Sequence, residues 1–289
     1  MLLNTFAARL AFGLCLAMAG FSPRAAAGSA CVWKVTGPNG STLYLGGSIH
    51  ALSSTDYPLP SAYNRAFDAS SQLVFEDDPK RSSAGIKALF KAGTYPKGDS
   101  LKYHVDPRTY AYLRRFFALL NISEEKFSRF RPWLIDLMLE SPSSEHFELG
   151  VETFLTKRAQ ANSKPVSGLE STAEHNAFFL GLSDREAEAL LLILFINAGH
   201  QNTGNIDLVP AWRRGDADAL FRSVHESFRD FPLLSERLLD VRNRNWIPKI
   251  ESYLRSGKTS FVVVGAGHMG GSNGLLSLLR ARGCKIEQL

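Results

Sequence analysis

Only three cysteines occur among 289 residues, too few for a fold built on disulfides. Neither sign of charge dominates. Thirty-three Lys and Arg stand against 28 Asp and Glu, a formal net charge of +5. No Lys/Arg cluster with interleaved aromatics appears, which excludes an ordinary nucleic-acid surface. Glycine (23) and proline (13) are too few for a collagen-like or low-complexity chain. Two hydrolase signatures are missing: there is no G-x-S-x-G elbow and no H-E-x-x-H. Beyond the N-terminus the longest apolar run, Ala189–Ile196, is far short of the roughly 20 residues that cross a bilayer. What is present is 45% apolar and 11% aromatic residues, enough for a substantial core and too many for disorder.

The first 27 residues have the order of a secretory signal. Arg9 precedes an apolar stretch from Leu10 to Phe21, and Ala25-Ala26-Ala27 closes it. We expect cleavage after Ala27 and a periplasmic or secreted product with no membrane span. Losing Arg9 and Arg24 leaves 31 basic against 28 acidic residues, so the remaining chain of about 262 residues carries +3. Its two cysteines, Cys31 and Cys284, sit beside strand-like stretches near opposite ends, and a disulfide joining them is expected in an oxidising compartment.

Strand patterns lie at both ends with helical patterns between. Val32–Thr36 and Thr42–Gly46 read as a hairpin across an Asn39-Gly40 turn. Gln72–Phe75 and Lys164–Leu169 read as short strands ending near Glu76 and Glu170. Thr259–Val264 is a buried strand, Leu275–Arg282 a helix and Lys285–Leu289 a final strand. Apolar residues at helical spacing mark 82–92, 107–120, 132–139, 148–161, 171–180, 183–198, 216–228 and 233–255. Ser183 with Glu186 forms a capping box before one of these runs. No linker interrupts the chain. The expectation is one α/β domain over 28–289, with a central mixed sheet and a helical insertion at about 80–255, itself interrupted by a strand near 164–170.

An internal echo supports a sheet of two related halves. Leu43-Tyr-Leu-Gly-Gly47-Ser-Ile-His50 and Phe261-Val-Val-Val-Gly265-Ala-Gly-His268 both read strand, G-x-x-H, helix, strand. Sheets of this kind bind ligands beyond the carboxyl ends of their strands. His50, His268 and Glu76 there make a candidate divalent-metal site, with Glu76 or Glu170 as a further ligand or general base. Glu170 has a second reading, as a cap with Ser171 for the following helix. Gly265-x-Gly267-x-x-Gly270 resembles a dinucleotide fingerprint, but the strands that complete such a site do not follow it, so no nucleotide cofactor is expected.

The chain resembles the TraB/PrgY/GumN family, most of all its GumN-like secreted branch. The resemblance rests on Val32-Trp33-Lys34-Val35, Leu45-Gly-Gly-Ser-Ile-His50, Leu73-Val-Phe-Glu76 and Gly168-Leu-Glu170. It continues through Arg242-Asn243-x-x-Trp246 and Val264-Gly-Ala-Gly-His-Met-Gly-Gly271. The pattern is similar to that of the Tiki membrane proteases and, more distantly, of the erythromycin-esterase and ChaN-like folds. The resemblance implies metal-dependent cleavage of a peptide or amide bond, with Mn, Co or Zn as the ion. It makes His50 and His268 ligands, Glu76 a ligand or base, and Arg242 and Asn243 a catalytic pair, Arg242 holding a substrate carboxylate or oxyanion. A second reading keeps the cleft but not the turnover: a binding protein for a peptide, haem or small molecule.

Overall fold

The computed structural model describes residues 29–49, 52–78, 83–140, 150–200 and 208–289. The candidate signal segment and His50 lie outside them. The described chain is α/β, with a six-stranded mixed sheet in the order β4-β3-β5-β2-β1-β6. The strands are β1 (Val32–Thr36), β2 (Thr42–Ser48), β3 (Gln72–Asp77), β4 (Val166–Glu170), β5 (Ser260–Gly265) and β6 (Lys285–Gln288). β4, β3, β5 and β2 run parallel, while β1 pairs antiparallel with both β2 and β6.

The expected hairpin is formed, and Gly40 takes the left-handed φ of 82° that its turn demands. Phe261, Val262, Val263 and Val264 are all fully buried, as a central parallel strand covered on both faces requires. Helices over Ser61–Asp68, Val151–Ala161, Leu208–Arg214, Val241–Arg255 and Leu275–Ala281 pack their apolar residues into the same core. The two G-x-x-H halves interleave. β2 and β5 lie side by side, with Gly47 opposite Val264 and Ser48 opposite Gly265. Their partner strands lie farther out, β3 beyond β5 and β6 beyond β1. The glycines that open the two G-x-x-H segments, Gly47 and Gly265, therefore lie at the ends of adjacent strands.

The chain divides into two compact units, and the insertion expected over 80–255 divides with it. One unit holds residues 83–140 and 176–200, built round Tyr95, Leu101, Leu113, Phe117, Phe127, Ile135 and Leu191. The other holds the sheet together with 150–175 and 208–289. Within the expected 233–255 helix, a short turn (Pro232–Ser235) leads into a wide π turn (Glu236–Asp240) and then the helix Val241–Arg255. The helix Leu208–Arg214 had no sequence counterpart, because it is too short to show a period.

The end-to-end disulfide is not formed. Cys31 and Cys284 are both buried free thiols. The register explains it. Thr36 pairs with Lys285, so Cys284 falls at one end of the β1–β6 ladder and Cys31 precedes the other. At about 3.3 Å per residue the two lie roughly 20 Å apart, beyond the 7 Å or so that a bridge allows. Among the described residues no helix is long and apolar enough to cross a membrane.

Candidate functional site

Three parallel strand ends carry the site. Glu76 lies near the end of β3, Glu170 ends β4, and β5 runs through Gly265 into the short turn Ala266–His268. β3 and β4 approach so closely there that a Cβ on Gly168 would meet the Asp78 nitrogen at 2.3 Å. Glycine is thus required for Glu76 and Glu170 to end side by side.

Arg242, on the first turn of the helix Val241–Arg255, spans both carboxylates. Its Nε donates to Glu170 Oε1 at 2.8 Å, and its Nη2 to Glu76 Oε2 at 2.8 Å and Glu170 Oε2 at 3.0 Å. Trp246, one turn on, donates Nε1–H to Glu170 Oε1 at 2.9 Å and lies under the guanidinium at 4.6 Å. Side-chain exposure is 15% for Arg242, 20% for Glu76 and 9% for Glu170, so these charges meet largely away from water.

His268 is 4% exposed and packs against the Trp246 ring at 4.6 Å. Its Nε2 lies 3.8 Å from Glu76 Oε1, too far for a hydrogen bond. Glu76 Oε1 itself accepts the Gly265 N–H at 2.6 Å. The ring's Nδ1 lies 2.8 Å from Asn243 Oδ1.

The electrostatics separate these groups. Burial would raise the Glu170 carboxyl, but hydrogen bonds from His175 and Arg242, with the guanidinium charge, hold it down to about 2. Burial pushes His268 down to about 4, against the pull of Glu76, so the ring is neutral near pH 7. Burial also opposes charge on Arg242, but Glu76 and Glu170 outweigh it and raise the guanidinium further. With two carboxylates, one guanidinium and a neutral imidazole, the cluster carries a net charge of −1, and a buried site of that sign favours a cation.

The structure thus brings together Glu76, Glu170, Arg242, Asn243 and His268. The capping reading of Glu170 is corrected. Ser171 and Glu174 form that cap themselves, with Ser171 N–H on Glu174 Oε2 at 2.8 Å, and the Glu170 carboxylate turns to Arg242 and Trp246. The Ser183–Glu186 box forms as expected. The glycines after β5 serve packing: a Cβ on Gly270 would meet the Ala217 oxygen at 2.1 Å, and one on Gly267 would meet Val224 at 2.9 Å. Both contacts are to the helix Ala217–Ser227, which packs directly on this turn.

Four contributors escaped the sequence reading. Trp246 follows Arg242 by four residues, and that i+4 spacing on a helix was a usable signal. His175 contacts Glu170 at 3.5 Å. Glu152 Oε1 accepts the Ser48 hydroxyl at 2.5 Å, two residues before His50. Asn273 accepts from Asn243 through its main-chain oxygen at 2.9 Å. These last three depend on long-range placement, and no local pattern marks them.

A metal fits part of this arrangement. His268 Nε2 and Glu76 Oε1, 3.8 Å apart, are within the span of one ion with bonds of about 2.0–2.2 Å. Among the described residues no group of three or more His, Cys, Asp or Glu is arranged to hold one; His50, the third expected ligand, lies outside them.

The fold and the site together define an α/β protein with acidic strand ends, a G-x-x-H histidine and an Arg-Asn pair gathered at one sheet edge. The chain belongs to the TraB/PrgY/gumN family, whose model matches residues 31–288. No curated protein matches it.

Proposed function

We propose that this chain is an exported, metal-dependent hydrolase of a peptide or amide bond. One observation carries the reading: the neutral, buried His268 offers Nε2 toward Glu76 in a site whose fixed charges sum to −1. His268 and Glu76, with His50, would hold the ion. One or two imidazoles with a carboxylate suit Mn, Co or Zn, and such an ion, when bound, acidifies a coordinated water.

The chain's own residues divide the remaining tasks. Glu170, held down to about 2, is too weak a base to take a proton from water near neutrality. It anchors Arg242 instead. Arg242 holds the Glu76 carboxylate in place through Nη2. Its Nη1, without a hydrogen bond among the described residues, is left to meet a substrate carbonyl. The Trp246 ring and the burial of His268 keep water from competing for Nε2.

The test is metal analysis of the purified protein together with a peptide-hydrolysis assay. Wild type should hold one divalent ion and cleave. His268→Ala, His50→Ala and Glu76→Gln should lose the ion and at least ~100-fold in rate, the scale of an acid–base or ligand contribution. A wild type without a divalent ion, equal in behaviour to all three folded variants, rejects the proposal.

A further inference from the structure

Asn243 is 2% exposed and has three polar contacts. Its Nδ2 donates to the main-chain oxygens of Asn273, at 2.9 Å, and of His268, at 3.4 Å. Its Oδ1 faces His268 Nδ1 at 2.8 Å. Main-chain oxygens only accept, so the amide nitrogen must face them; the flipped amide would set oxygen against two oxygens. The amide oxygen, left toward the ring, also only accepts. His268 Nδ1 must therefore carry the proton, and a neutral ring has only one. Nε2 is then bare, and it is the nitrogen that faces Glu76.

Asn273 is pinned at both ends. Its main-chain oxygen takes Asn243, and its side-chain Nδ2 donates to Asp240 Oδ2 at 2.8 Å. Asp240 closes the π turn and Asn243 lies on the first turn of the next helix, so the two share a face three residues apart. Asp240 is 9% exposed, and its Oδ1 is buried without a hydrogen-bond partner among the described residues. An ionisable group with an unsatisfied oxygen persists only where its surroundings hold it there.

We propose that Asp240, Asn273 and Asn243 are positioning residues, a buried relay that fixes His268 in its Nδ1–H tautomer and presents the Nε2 lone pair toward Glu76. This deepens the metal reading of the same site and rests on it for one point, that Nε2 is the ligand atom. Outer partners that fix a histidine's tautomer are a general feature of metal-binding imidazoles.

The test is a two-bond proton–nitrogen correlation spectrum of the full, metal-free chain labelled at histidine nitrogens, with His268→Gln assigning the signal. Wild type should show a protonated Nδ1 and a pyridine-type Nε2. Asn243→Leu should shift His268 to the Nε2–H form or to a mixture, and Asn273→Ala should move it the same way by less. A wild type with Nε2–H, or an Asn243→Leu protein that stays wholly Nδ1–H, overturns the relay. Should Asn243→Leu fail to fold, the wild-type tautomer and the shift in Asn273→Ala decide, and a wild type with Nε2–H still overturns the relay. Because no metal is present, the outcome separates from the proposed activity: the expected tautomer in a protein that binds no ion would reject the hydrolase and leave the relay standing.

Discussion

At Arg242 one cation stands between two carboxylates, and the energetics of the site turn on it. Removing one partner of a buried ion pair leaves an uncompensated charge and costs about 3–5 kcal/mol. Arg242→Met should therefore destabilise the chain by roughly 3 kcal/mol in urea unfolding, with Glu76→Gln and Glu170→Gln added to the same protein restoring most of it. If Arg242→Met alone is neutral, the clamp is not holding the strand ends. The sequence announced the identities of these residues but not this relation. Glu76 and Glu170 were visible as strand ends because a β-run stops at each. That Arg242 lies across both follows only from the parallel pairing of β3 with β4 and the packing of a distant helix over them. Nε and Nη2 of Arg242 are taken by Glu76 and Glu170 of its own chain.

Among the elements, the helical unit of 83–140 and 176–200 joins two pieces of chain through more than apolar packing. His104 bridges them. Its Nε2 meets Asp99 at 2.9 Å, its Nδ1 meets Asp184 at 2.7 Å, and its ring stacks on Tyr95 at 4.1 Å. Arg131 lies over the Tyr95 ring and 3.8 Å from Asp184. Burial opposes the charged ring, but hydrogen bonds to Asp184 and Asp99 outweigh it and raise the His104 pKa above its ordinary 6.5. A raised value stabilises the folded state fully below pH 6.5, and that stabilisation is lost as pH climbs through the folded value. Amide exchange in the first turn of the helix Asp184–His200 should accelerate over that rise beyond its intrinsic pH dependence, and His104→Leu should abolish the excess. An unchanged excess in the variant would remove His104 as the link. The sequence reading assigned this histidine no chemistry, because its two partners lie 5 and 80 residues away. Elements with a local signature were legible: Asn39-Gly40 named the hairpin, the four-residue apolar run named β5, and Ser183 with Glu186 marked a helix start. The π turn over Glu236–Asp240 carries no such signature, and its 3.6-like pattern reads as plain helix.

Over the whole chain, the sheet's order departs most from the order of synthesis. β2 and β3 are made early, separated only by the helix Ser61–Asp68 and its flanking turns, yet they are not paired; β5 lies between them, and Gln72 meets Ser260 across 188 residues. A chain cut after residue 258 retains β1 through β4 but leaves β2 and β3 as unpaired edges with fully buried apolar residues exposed. It should be insoluble, or soluble only as aggregates by light scattering, whereas a cooperative unfolding transition in that fragment would show that β5 is dispensable. The α/β class and the strand positions were readable because periodicity is local. The interleaving of the two G-x-x-H halves was not, since β-pairing between distant segments leaves no trace in spacing.

The central place of β5 has a consequence in time. Glu76 emerges early but receives its hydrogen bond from Gly265 only after the helical unit and most of the remaining chain have been made. The same strand brings His268. Until then the growing chain holds a row of carboxylates without the histidine that faces them, and no partial product can possess the completed site. Assembly of this cluster is thereby tied to the closing of the sheet by its second-last strand.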